Sequence, residues 1–236
     1  MPQDRVWPNA DPASLATRSA KGPHHHMTAP TIKVYTDYKS PYAYLAKDLA
    51  YELERDTGAR LDWLPYTLDI PAYLGSAKVD IDGTVLEASR NAHQWRRVKY
   101  SYMDCRREAN RRGLTLRGTQ KIFDSSLANI GMLYAKRHRV FRSYHDRVFE
   151  RFWKRELDIE DPAVLAAVLT ECGADASAFP PFVDGEGGRL LRQIQVEAEA
   201  AGVFGVPSFL FEDGDLYWGR EHLPRIRELL QTWPKG

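Results

Sequence analysis

Gly202-Val203-Phe204-Gly205-Val206-Pro207-Ser208 is the stretch on which the fold turns. It leads into Ser208-Phe209-Leu210-Phe211, which a turn at Glu212-Asp213-Gly214-Asp215 separates from Leu216-Tyr217-Trp218. Two short apolar and aromatic runs around an Asp-Gly pair read as a β-hairpin. A proline directly before such a strand has no N–H to give the ladder. One reading is an ordinary trans turn proline. The other is a cis Val206–Pro207 bond, which turns the chain tightly and leaves the Val206 N–H and C=O free. Free groups of that kind can pair with an extended, peptide-like ligand as a further strand would. The order of the surrounding elements favours cis.

Upstream, Thr31-Ile32-Lys33-Val34-Tyr35-Thr36 alternates and is β-branched, so it reads as a strand. After Asp37-Tyr38-Lys39 comes Ser40-Pro41, an N-cap residue followed by proline at the first helical position. Leu45, Leu49 and Leu53 continue one face to a stop at Gly58, and residues 60–66 read as a second strand. Residues 71–200 read as helical, with candidate helices at 88–112, 125–138, 141–154, 162–171 and 186–201. A last amphipathic helix covers about 221–232. The order β-α-β, helices, β-β-α resembles a thioredoxin-like α/β fold with an inserted all-helical domain. Residues 30–70 and 202–236 are then the thioredoxin-like part and 71–201 the insert.

Residues 1–29 contain four prolines and no apolar core segment, and read as a disordered extension outside the fold. Within them His24, His25 and His26 read as a solvated tail rather than a metal site, and Met27 as an alternative start. The composition of the whole chain, 43% hydrophobic and 28% charged with a mean hydropathy of -0.50, excludes collagen-like, disulfide-dense and mostly disordered chains. No stretch approaches the roughly 18 apolar residues of a membrane helix. The two cysteines, Cys105 and Cys172, form no C-x-x-C motif and, without a signal peptide, imply reduced thiols and a cytoplasmic location. A net charge of +1 conceals a division. Residues 90–155 hold 18 Lys and Arg against 5 Asp and Glu, leaving 15 basic and 27 acidic residues elsewhere.

Ser40 is the second chemical feature. A hydroxyl at a helix N-terminus sits beside unpaired N–H groups and the positive dipole end, and so suits an anion. An ordinary N-cap does the same for its own helix. No G-x-S-x-G elbow marks Ser40 as a triad nucleophile, so hydrogen bonding to a ligand thiolate is the chemistry it fits best.

Asp37-Tyr38-Lys39-Ser40-Pro41-Tyr42-Ala43-Tyr44-Leu45-Ala46, the Val203–Ser208 run and Trp218-Gly219-Arg220-Glu221 together resemble the 2-hydroxychromene-2-carboxylate isomerases. These are relatives of the kappa-class glutathione transferases within the DsbA-like thioredoxin superfamily, and the likeness spans about residues 31–233. It implies that serine replaces the first redox cysteine, so that Ser40 is catalytic and contacts the sulfur of glutathione or another low-molecular-weight thiol. It implies that Val206, beside Pro207, binds the cysteinyl unit, and that Trp218, Gly219, Arg220 and Glu221 hold the γ-glutamyl end. It further implies substrate contacts from Tyr42, Asn91, Tyr100 and Asn129. Asp104, Gly113 and Asn129-Ile130-Gly131 match as well. Three departures stand out: residues 68–74 hold no lysine, Phe123 stands for a tyrosine, and Arg220-Glu221 stands for Asn/Ser-Asp.

The resemblance implies an isomerase working by reversible thiolate addition to a 2-hydroxychromene-2-carboxylate-like aromatic carboxylate. A kappa-like glutathione transferase is the alternative, differing in whether the thiol is released. A third reading is a non-enzymatic binding protein using Arg96-Arg97, Arg106-Arg107 and Arg111-Arg112, but no nucleic-acid motif accompanies them and a solvated helix face accounts for them. The expected partner is a small molecule, with neither nucleic acid nor membrane, and a homodimer is allowed for. A basic insert folded over the groove suits an anionic thiol and a carboxylate-bearing acceptor. Trp95, Trp153, Phe149, Phe152, Tyr134, Phe141 and Tyr144 read as core aromatics, and His138 and His145 as surface residues. Asp104 reads as pairing with arginines, and Asn129 as either a core amide or a substrate contact.

Overall fold

The alternation in Thr31–Thr36 has a direct structural consequence. This strand, β1, lies inside a four-stranded sheet of order β2-β1-β5-β6, with β2 at Arg60–Pro65, β5 at Ser208–Leu210 and β6 at Leu216–Trp218. In this computed structural model, which describes residues 30–233, β1 and β2 are parallel from Thr31↔Arg60 to Thr36↔Pro65. β5 is antiparallel to both β1 and β6. The expected N-terminal tail and His24–His26 lie outside the described residues.

Ile32, Val34, Leu61, Trp63 and Phe209 point to one face, where they pack with Ala50, Leu53, Leu223, Ile226 and Leu230. The last five come from α1 (Pro41–Thr57) and α9 (Leu223–Gln231), so both helices cover this face. Tyr35, Val206 and Leu210 belong instead to a larger core. That core also takes in Ile130 and Met132 of α4 (Ser126–Arg137), Tyr144, Phe149 and Trp153 of α5 (Phe141–Trp153), Leu165 of α6 (Pro162–Glu171) and Leu191 of α8 (Gly188–Ala200). The sheet and the helical segment therefore share one interior. Among the described residues no helix is long and apolar enough to cross a membrane.

The insert is not all helical. After α2 (Ile70–Leu74), a two-stranded hairpin pairs β3 (Ala77–Val79) with β4 (Val85–Ala88), and only then does α3 run from Ala92 to Arg111. The Asp80 carboxylate closes the hairpin turn by accepting from the N–H groups of Asp82 and Thr84 at 3.0 and 2.8 Å. Gly83 supplies the positive φ, 90°. A short α7 (Phe179–Phe182) and a π-helical turn (Val183–Gly187) precede α8, which therefore starts two residues later than its periodicity suggests. Gly187 is needed there, because a Cβ would stand 2.6 Å from both Ile130 and Phe182. His145 is wholly buried, contrary to the sequence expectation, because on α5 it shares a face with Phe141 and Phe149. Trp95 is only half-buried and lies under the Arg90 guanidinium, outside the core set.

Candidate active site

Ser40 has extended backbone angles, φ -91° and ψ 115°, and begins α1 as its N-cap. Its Oγ accepts from the Ala43 N–H at 3.2 Å, and its own N–H is held by the Asp37 carbonyl at 3.0 Å. The hydroxyl proton remains available to donate. Pro41 has no N–H to lose, and the first turn of a helix leaves amide donors unused. Ser40 is 4% exposed, so the positive end of α1 is concentrated at a small opening.

The loop before β5 stands beside it. The Val206–Pro207 peptide is cis, as the sequence suggested. The Pro207 carbonyl accepts from the Gly219 N–H at 2.9 Å, and the Ser208 hydroxyl donates to the Gly205 carbonyl at 2.7 Å. The first bond fastens the loop to the end of β6, and the second ties the loop back to the start of β5. The Trp218 indole covers Gly205, where a Cβ would come within 2.7 Å of its Nε1, and also meets the Phe204 ring at 5.0 Å. Gly219 has φ 108°, and a side chain there would collide with the Glu221 carboxylate.

Arg220 ties three elements together. Its guanidinium donates to Asp104 of α3 at 3.3 Å and lies 5.0 Å from the centre of the Tyr42 ring on α1. Asp104 thus pairs with an arginine that is remote in sequence rather than with those of its own helix. Burial raises the Tyr42 phenol above its usual range, and it pushes the nearby Cys105 thiol up to about 12, so Cys105 is an inert core group. On the other flank of Ser40, burial raises the carboxyl of Asp37, countered first by the charge of Lys39. Asp37 Oδ2 accepts from the Leu68 N–H at 2.8 Å and stands 3.8 Å from Lys39 Nζ.

One cavity of about 1640 Å³ opens beside these residues, bordered by α3 and the segment at 118–123. Ser40, Tyr42, Val206, Pro207, Trp218, Gly219, Arg220 and Glu221 all face it, as does Phe123. Three residues expected to contact substrate are placed elsewhere. Asn91 is the N-cap of α3, with its side chain taken up in a capping box with Gln94. Tyr100 is 57% exposed and is not part of the lining. Asn129 is wholly buried and donates to Thr67 Oγ1 at 2.9 Å, so of its two readings the core amide describes its surroundings. Conversely, Lys39, Tyr73, Trp95, Arg97 and Tyr102 line the cavity although the sequence assigns none of them a contact with thiol or substrate. Lys39 lies within the Asp37–Ala46 motif, but no periodicity announces a buried lysine in a turn. Among the described residues no group of three or more His, Cys, Asp or Glu side chains converges as a metal site would require.

A thioredoxin-type sheet, a cis-proline loop and a serine at the helix start define a protein of the thioredoxin class that lacks the redox cysteine pair. Residues 31–231 match the DSBA-like thioredoxin domain, and the chain belongs to that family. It is 28% identical over 205 residues to the 2-hydroxychromene-2-carboxylate isomerase of Sphingobium xenophagum, covering 85% of this chain and 97% of that one. A solved 2-hydroxychromene-2-carboxylate isomerase superposes with a TM-score of 0.67 at 23% identity, covering 85% of this chain and 94% of the other. The cytosolic disulfide reductase DsbM of Pseudomonas aeruginosa, solved with GSH, gives 0.58 at 17% identity, covering 86% and 98%.

Proposed function

We propose that the protein is a thiol-dependent isomerase acting on a 2-hydroxychromene-2-carboxylate-like aromatic carboxylate, with glutathione or an analogous small thiol as its co-reactant. The observation that carries this reading is the Ser40 hydroxyl, free to donate, at the start of α1 and within a cavity shared with the Val206–Pro207 loop. The name of the Sphingobium relative and its coverage of nearly the whole fold support the reaction type. A neighbour of the same fold solved with GSH supports the thiol.

In this reading Ser40 donates to the thiolate sulfur, and the helix N-terminus lowers the thiol pKa further. Val206 offers backbone groups to the cysteinyl unit, and the 218–221 loop, with the acid of Glu221, meets the γ-glutamyl end. The hemiketal ring of such an acceptor first opens: its ring C–O bond breaks and the hydroxyl proton passes to the phenol oxygen. That leaves a ketone conjugated with the alkene, to whose β carbon the thiolate adds. A C–S bond forms while the alkene electron pair moves onto the conjugated carbonyl. Rotation about the resulting single bond, then expulsion of the thiolate, restores the alkene in its new geometry. Nothing is oxidised or reduced, and the thiol is returned. The protein's share is orientation of the two reactants and stabilisation of the charge they carry.

Titration with glutathione, following thiolate absorbance at neutral pH, tests this. Wild type should show bound thiolate, and Ser40→Ala should raise the bound thiol's pKa by roughly one to two units, as expected for one hydrogen bond to a charged group. Equal signals in the two proteins would remove Ser40 from the mechanism. Free thiol should stay constant during turnover; its stoichiometric loss would mark a transferase instead.

A further inference from the structure

Lys39 is a cation buried beside the reacting group and poorly served by its surroundings. Its side chain is 7% exposed, yet it reaches the cavity. Its nearest carboxylate oxygen, Asp37 Oδ2, stands 3.8 Å from Nζ, beyond hydrogen-bond distance, and already accepts from the Leu68 N–H. Asp37 Oδ1 is turned to the Lys39 backbone N–H at 3.4 Å. Among the described residues no group accepts a hydrogen bond from Nζ. An ammonium carries three donors, and burial with donors idle is costly. Water can serve them while the cavity is open, but a ligand that displaces that water must bring acceptors of its own.

The direction of the side chain narrows the ligand. Arg220, Tyr42 and Asp104 form a closed cluster next to the 218–221 loop, where the thiol's γ-glutamyl end is placed by the proposal above. Lys39 faces the opposite flank of Ser40, toward Asp37 and the β2–α2 connection at Leu68. We propose that Lys39 is the anchor for the carboxylate of the acceptor, holding its conjugated carbons beside the sulfur at Ser40. The inference rests on the isomerase reading for the identity of the acceptor, but not for the presence of an aromatic-carboxylate site. Asp37, together with Asp124 whose carboxyl also feels the Lys39 charge, positions the ammonium, and neither carboxylate accepts a hydrogen bond from it.

Salicylate and its neutral counterpart salicylamide are suitable probes, titrated calorimetrically into the wild-type protein and Lys39 variants. Wild type should prefer salicylate by about tenfold or more, the scale of one charge-assisted hydrogen bond. Lys39→Met should abolish that preference, and Lys39→Arg should retain part of it. Because Lys39→Met strands the buried Asp37 carboxylate, the Asp37→Asn/Lys39→Met double variant keeps the comparison readable if the single one melts early. Glutathione binding should be unchanged in each. The proposal is overturned if wild type shows no preference, if folded Lys39→Met keeps it, or if glutathione binding falls while the preference stays. Lys39-dependent salicylate binding without bound thiolate would sustain the anchor and sink the isomerase. Bound thiolate with a preference indifferent to Lys39 would do the reverse.

Discussion

His145 shows at the level of one residue how packing overrides local sequence. Its neighbours Arg142, Asp146 and Arg147 suggest a wet helix face, yet it sits among Tyr38, Trp63, Phe141 and Phe149 and shares a 3.0 Å hydrogen bond with the Tyr38 hydroxyl. Burial, aided by the charges of Lys47 and Arg142, holds its pKa well below the ordinary imidazole value. The sign of the linkage follows. Below about pH 6.5 the unfolded chain takes up a proton that the native imidazole refuses, so the unfolded state binds more protons and stability falls with decreasing pH. The loss approaches about 1.4 kcal/mol per pH unit until the native pKa is reached. Urea unfolding of wild type and His145→Phe between about pH 7 and 5 should show a shallower slope in the variant; parallel slopes would refute this account. Ser40 was legible because helix starts have a chemical signature, whereas Lys39 and Trp95 were not, since what matters is the cavity around them.

Among the elements, α3 starts from its N-cap Asn91, a residue that the family resemblance assigns to substrate. Asn91 accepts from the Gln94 N–H at 2.9 Å while the Gln94 side chain returns the bond to the Asn91 N–H, so its work is capping. Asn91→Ala should cost about 1 kcal/mol in stability, while KM for the acceptor stays at the wild-type value. A several-fold rise in KM with an unaltered melting point would restore the substrate role. Strands β1 and β6, with their regular apolar pattern, have the limits that the sequence suggests, and α4, α5 and α6 come within a residue or two. The β3–β4 hairpin escaped notice although Asp82-Gly83 carries the same turn signal as Asp213-Gly214. Its strands leave Val85 and Leu86 exposed, so no buried face imposes an alternation that could be read. The π-helical turn before α8 escaped for another reason. The close approach of Gly187 to Ile130 of α4 is a tertiary contact with no local trace.

At the scale of the molecule, the charge division becomes a seam. Arg112 meets Asp48, Lys136 meets Asp62, Arg142 meets Glu54, Arg147 and Arg151 meet Glu171, and Arg137 meets Glu186, each joining the basic segment to the acidic remainder. Arg97, Lys99 and Arg106 form no ion pair among the described residues, and all three line the cavity. Part of the residual field therefore faces the cavity, while Arg96, Arg107, Arg117 and Arg139, also without an ion pair among the described residues, lie outside its lining. Arg97→Gln/Lys99→Gln should lower kcat/KM for an anionic acceptor several-fold at low ionic strength, and the deficit should close by about 0.5 M salt as screening shortens the field. A deficit that persists at high salt would mean direct contact rather than steering. The interior that Tyr35 and Val206 share with the helices of the insert has a consequence of its own. A segment bordered cleanly in sequence at residues 71 and 201 is not a cassette. To exchange it for a relative's equivalent, Tyr35 of the central strand and Val206 before the cis-proline would have to travel with it, so lineage and engineering alike must treat the sheet and its helices as one heritable block.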